Sequence, residues 1–100
     1  MSKKNRREIP RFDTPIIETH CHLDYLEPTQ LDDVLARSAE VGVERIITIA
    51  VSADNLGKVV ELAHGSSVIW GTQGIHPHEA ECWSEEVESA VRAGLAEPRI

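Results

Sequence analysis

Three times between Pro15 and Leu95 a short apolar run gives way to a stretch whose apolar residues recur every three or four positions. The runs are led by Pro15-Ile16-Ile17, by Arg45 to Val51 and by Val68 to Ile75. The middle run, Ile46-Ile47-Thr48-Ile49-Ala50-Val51, is nearly continuous, as a parallel strand covered on both faces requires. The stretches that follow carry Leu31, Val34, Leu35 and Ala39, then Leu56, Val59, Val60 and Ala63, then Val87, Ala90, Val91 and Leu95, all at helical spacing. Strand–helix alternation of this kind predicts an α/β fold with a parallel sheet and right-handed crossovers. The order is βαβαβα, with Glu97-Pro98-Arg99-Ile100 as the start of a fourth strand.

Local signals set the boundaries. The first strand runs from Thr14 to about His22. Thr29 is expected to cap the first helix, with Asp32 and Asp33 in its first turn, and Gly42 ends it. Ser52 or Asp54 caps the second helix and Gly65 closes it. His64 falls in its last turn, where a cation suits the helix dipole and no ligand role is needed. Ser84 caps the third helix, followed by Glu85 and Glu86. Residues 1–13, with Lys3, Lys4, Arg6 and Arg7, read as a basic flexible tail, and residues 14–100 as one partial domain.

One hundred residues allow one small domain, and 41% apolar residues are enough for a Val, Ile, Leu and Ala core. The net charge of -7 excludes a basic protein that coats nucleic acid, though an acidic chain can act on phosphates when bound cations supply positive charge. No apolar core follows the basic tail and no stretch is long enough to span a membrane, so a cytoplasmic location is expected. Cys21 and Cys82 lack zinc-finger spacing. In a reducing compartment they are expected unpaired, with Cys21 a small buried thiol rather than a ligand.

The chemistry concentrates in Glu18-Thr19-His20-Cys21-His22-Leu23-Asp24. If the strand continues that far, alternation puts Glu18, His20, His22 and Asp24 on one face and Thr19, Cys21 and Leu23 on the other. Two imidazoles flanked by carboxylates match the donor sets of zinc, manganese, iron or magnesium sites. A second pair, His76 and His78, closes the third strand. In a parallel sheet, ligands bind at the carboxyl ends of the strands, so both pairs fall on one rim. Pro77 favours extended backbone at His76 and Pro77, which lets the two histidines point to similar sides. With the second strand in the middle, the two segments are about 10 Å apart. Two neighbouring subsites therefore fit better than one four-histidine ion: His20 and His22 hold metal, and His76 and His78 donate to a substrate phosphate. Glu18 and Asp24 are candidate supporting acids. Metal-bound histidines must be neutral, so activity is expected to fall below about pH 6.5.

These residues resemble a known family. Ile17 to Asp24 is similar to the first signature of the TatD-type metal-dependent deoxyribonucleases, and Gly74-Ile75-His76-Pro77-His78-Glu79 to their Gly-x-His-Pro-His segment. The resemblance covers residues 14–100. It implies the first three strand–helix units of a TIM (β/α)8 barrel and phosphodiester hydrolysis of DNA from the 3′ end. It also implies one or two divalent ions (magnesium, manganese or zinc). It makes His20 and His22 ligands and sets His76 and His78 beside the phosphate. Glu18 stands where the family usually has Asp. The family's chain is more than twice as long, and its further ligands (a Glu after strand four, later histidines and an Asp) have no counterpart up to residue 100. The chain reads as a fragment truncated before strand four, with the remaining acidic and histidine ligands beyond residue 100 and the catalytic residues not assigned, and is expected to be inactive alone. The alternatives are a non-catalytic metal-binding half-barrel that self-associates through its open sheet edge, and a metal hydrolase of an amide, lactone or phosphotriester.

Overall fold

The computed structural model describes residues 9–100. Lys3, Lys4, Arg6 and Arg7, the basic part of the expected tail, lie outside them. Of that tail, residues 9–13 are exposed and belong to no helix or strand, and the Arg11 guanidinium donates to Glu40 C=O at 2.6 Å. The elements in order are β1 (Ile16–Cys21), α1 (Pro28–Glu40), β2 (Val43–Thr48), α2 (Leu56–Gly65), β3 (Ile69–Gly71) and α3 (Glu85–Leu95). Short 3-10 turns at Leu23–Tyr25 and Pro77–Cys82 follow β1 and β3. The strands form one parallel sheet in the order β1-β2-β3, so the alternation and the central second strand are as the sequence predicts.

The core lies between the sheet and the helices. Ile46 and Ile69 pack with Leu23, Leu62 and Ala63, while Ala50, Leu56 and Val59 form a neighbouring cluster. Ile100 packs against both. The opposite sheet face differs from the expectation of cover on both sides. Ile17, in register with Arg45, is 52% exposed, and Trp70, in register with Ile47, is 40% exposed.

Several boundaries move, each for a local reason. β1 stops at Cys21 because the Leu23 N–H donates to the Thr48 hydroxyl at 3.1 Å and the chain turns into the 3-10 segment. α1 begins at Pro28, one residue before the expected Thr29 cap. Proline suits the first helical position, and the Glu27 N–H before it donates to Gln30 Oε1 at 2.9 Å. Gly42 does end α1, at φ +98°, a region that glycine enters without steric cost. Neither Ser52 nor Asp54 precedes α2; Asn55 does. β3 ends at Gly71; beyond it the Thr72 hydroxyl accepts the Ala50 N–H, and the Gln73 amide donates to the carbonyls of Thr72 and of Leu56 in α2. Ser84 caps α3 as expected, its Oγ accepting the Val87 N–H at 3.1 Å.

Ala39, Ala90 and Leu95 fit the helical stripes yet are exposed, since no described element covers them. Residues 97–100 form no strand. Arg99, at φ 62°, turns the chain so that its C=O accepts the Gly71 N–H at 2.9 Å and its guanidinium donates to the carbonyls of Ile69 and Ala63.

Ile69 is 1% exposed and Leu95 is 55% exposed. Ile69→Ala is expected to cost about 2–5 kcal/mol in urea unfolding, whereas Leu95→Ala stays within about 0.5 kcal/mol.

Candidate metal centre and the histidine pairs

The register of β1 on β2 slips between Glu18 and Cys21, at the first histidine of the pair. Glu18 is level with Ile46 and Cys21 with Thr48, so three steps on β1 match two on β2. A bulge of this kind breaks the alternation of faces and re-aims the side chains beyond it. Glu18 and Cys21 take register positions of one face, and Asp24 lies in the 3-10 turn rather than on the strand. The expected row of Glu18, His20, His22 and Asp24 on one strand face is therefore not formed. Instead Glu18 Oε1 accepts the His20 N–H at 3.0 Å, and Asp24 Oδ2 accepts from Asn55 Nδ2 at 3.2 Å.

His20 and His22 do come together. Their ring centroids are 5.2 Å apart, with the rings edge to face at 82°. Tyr25, largely exposed, places its ring 5.7 Å from that of His22. His22 Nδ1 and Asp24 Oδ1 are buried without a hydrogen-bond partner, a costly state for a polar atom inside a protein.

The second pair is held by its backbone. His76 N–H donates to Val51 C=O at 2.7 Å, which fixes this segment beside the end of β2. His76 is extended as expected (φ -66°, ψ 146°), but Pro77 opens the 3-10 turn instead of continuing an extended chain. His78 N–H donates to His76 Nδ1 at 3.0 Å. The accepting nitrogen carries no proton, so neutral His76 presents its proton on Nε2. The two rings are 4.8 Å apart and exposed.

Both pairs thus occupy the carboxyl-end rim of the parallel sheet. Among the described residues, no three His, Cys, Asp or Glu groups come close enough to hold one metal ion. His64 stands apart from the rim, with its Nε2 2.9 Å from Glu97 Oε1. Cys21 packs against the helix-side core and its thiol faces Ile47 C=O at 3.5 Å. Burial first, then the charges of Glu18 and Asp24, push this thiol up to about 11.

Three polar residues that shape the rim escape sequence reading: Thr48, Thr72 and Asn55. Each has a residue of another segment as its partner. The local signal for the threonines is a single hydroxyl within or just after an apolar strand. Asn55 has only its place before a helix, which reads as an ordinary cap.

With this geometry in hand, the family model described as TatD related DNase matches residues 17–100. The chain belongs to the TatD-related DNase family. The uncharacterized metal-dependent hydrolase YjjV of Escherichia coli K12 is 37% identical over 71 residues, which are 69% of this chain and 27% of that protein. The 3′-5′ ssDNA/RNA exonuclease TatD of Cronobacter turicensis is 29% identical over 69 residues, which are 69% of this chain and 26% of that one. The crystal structure of YjjV, a TatD homolog from Escherichia coli K12, superposes with a TM-score of 0.65 at 33% identity, over 79% of this chain and 31% of that one. The chain spans about a quarter of the length of the curated relatives it matches. Its three parallel strands and alternating helices are the first three strand–helix units of the family's TIM barrel. No helix among the described residues is long and apolar enough to cross a membrane.

The Cys21 thiol is harder to ionise folded than unfolded. Stability is therefore held below the ordinary thiol value of 9.0 and lost as pH rises towards about 11. In a Cys82→Ser variant, alkylation of Cys21 by iodoacetamide should keep accelerating past pH 10. A rate that levels off near pH 9 would contradict the burial.

Proposed function

We propose that this chain supplies two ligands, His20 and His22, to the divalent-metal centre of a TatD-type hydrolase that cuts DNA phosphodiester bonds from the 3′ end. The observation that carries the reading is the close pair of imidazoles at the carboxyl-end rim, with a second imidazole pair on the same rim. The donor set fits a metal as far as it goes. Two neutral nitrogens suit zinc or manganese, and the buried, unpartnered Nδ1 of His22 is a group in want of a partner. Other ligands have to join them, because the described residues bring no third donor.

When bound, the metal lowers the pKa of a coordinated water and polarises the scissile phosphate. The chain's own residues do the rest of the work assigned here. The bulge at Glu18–Cys21 aims the imidazoles, and the Glu18 carboxylate holds the His20 backbone. His76, with its proton kept on Nε2 by the His78 N–H, donates to a phosphate oxygen. His78 lies beside it for a second contact. One or two ions, drawn from magnesium, manganese and zinc, belong to the proposal, as does a cytoplasmic setting for a protein with two free thiols.

A second reading has its own motive. The incomplete donor set and the exposed Ile17 and Trp70 suit a metal-binding module that self-associates. Release of nucleotides from a 3′-ended single-stranded oligonucleotide with added Mn2+ separates the two. The nuclease reading expects release only where further ligands are joined to this chain, and there His20→Ala/His22→Ala reduces it at least a hundredfold. Metal binding and dimerisation of this chain, with no release even when those ligands are joined to it, would favour the module. Cleavage of a small ester with DNA untouched would move the substrate away from nucleic acid.

Calorimetric titration with Zn2+ should show binding that His20→Ala/His22→Ala removes and His76→Ala/His78→Ala leaves within about threefold. Affinity should weaken as pH falls, because protons compete for the ligand nitrogens.

A further inference from the structure

Asn55 occupies the position before α2, where an asparagine ordinarily caps the helix. Its side chain makes no capping bond. The amide is instead 8% exposed and engaged on every side. Oδ1 accepts the Val51 N–H at 2.8 Å and the Ser52 N–H at 3.1 Å. Nδ2 donates to Ile49 C=O at 3.3 Å and to Asp24 Oδ2 at 3.2 Å. Two lone pairs and two N–H groups are all that an asparagine side chain has, so none is left over.

Two of these bonds lead to the histidine pairs. Asp24 follows His22 by two residues in the 3-10 turn, and its other oxygen is buried and unpartnered, so the Asn55 amide is the hold on that carboxylate. Val51, fixed by Asn55 through its N–H, accepts the His76 N–H at its carbonyl. The connection therefore runs from Asp24 through one amide to Val51 and on to His76. The rim end of β2 carries it, between the two outer segments.

We propose that Asn55 is a positioning residue that sets the His20/His22 segment in place relative to the His76/His78 segment. The inference rests on the functional reading above, since it gives purpose to the spacing between metal ligands and phosphate-facing donors. A buried amide with all four bonds made tolerates little displacement, because each bond lost leaves a polar group unpaired in a medium of low dielectric. Asn55 touches neither metal nor substrate and acts only through Asp24 and Val51.

An exchange of partners tests it. Asn55→Asp keeps an oxygen for Val51 and Ser52 but sets a second carboxylate against Asp24. The Asp24→Asn/Asn55→Asp double variant restores one donor and one acceptor across the same gap. Imidazole NMR resonances of His22 and His76 and calorimetric Zn2+ affinity are read on all three proteins, with circular dichroism confirming the fold. Asn55→Asp is expected to shift both imidazoles and weaken Zn2+ binding at least tenfold. The double variant still leaves Ile49 C=O without a donor, so it should move both resonances back towards the parent and recover part of the lost affinity. An Asn55→Asp variant that moves His22 and leaves His76 unchanged, or a double variant that restores nothing, overturns the proposal. Should Asn55→Asp fail to fold, Asp24→Ala removes one bond of Asn55 and leaves those to Val51, Ser52 and Ile49 intact, so it is expected to shift His22 and leave His76 in place, with an unmoved His22 as the contrary result. A parent protein that binds no Zn2+ defeats the metal reading instead, while the resonances still decide the role of Asn55.

Discussion

The buried hydroxyl and carbonyl of Thr48 hold the rim of the sheet together. Thr48 is the last residue of β2 and is fully buried. Its Oγ1 accepts the Leu23 N–H as the chain leaves β1, and its C=O accepts the Thr72 N–H as the chain leaves β3. One residue of the central strand thus decides where both neighbours stop pairing and begin to turn. Each turn carries chemistry: His22 and Asp24 on one side, His76 and His78 on the other. Thr72 answers in kind, its hydroxyl accepting the Ala50 N–H at 3.1 Å. Buried Thr48 and half-buried Thr72 do what an all-apolar strand end cannot, since each loose backbone group there would lack a partner.

The fold was legible where apolar patterning and local chemistry agree. β2 is a nearly unbroken apolar run, and Ser84 precedes three glutamates in the first turn of α3. Gly42 ends α1 for a reason written in one residue. The bulge between Glu18 and Cys21 left no such mark, because neither glycine nor proline announces it. A row of alternating residues was therefore read through a point where alternation fails. Asn55 was illegible for another reason: its partner Asp24 lies 31 positions away. Ala39 and Leu95 show a limit of periodicity, which tells which residues share a helix face but not whether anything covers it. Both histidine pairs were legible as motifs, and so was the rim they share. Their exact grip on the backbone was not, because it comes from Thr48 of the central strand and from Val51 in the loop after it.

The two faces of the sheet tell the family relationship in physical terms. The helix side is a packed core. The other side exposes Ile17 and Trp70. In a TIM barrel that second face is the one turned inward and filled by side chains from the other strands. Matching 31% of the YjjV chain, the three units present one wall of such a barrel. The site follows the same logic. A rim built from three strand ends offers two imidazole pairs and no third metal donor among the described residues. Those pairs are nevertheless set in place by this chain alone, through Thr48, Asn55 and the bulge in β1.

The central claim is that His20 and His22 grip one metal ion at that rim. Anomalous diffraction from crystals grown with Zn2+ tests it most directly. The account predicts a strong peak with one ring nitrogen of each histidine about 2.0–2.1 Å away. A fully occupied zinc elsewhere, with these two imidazoles bound only to water or protein, would contradict it.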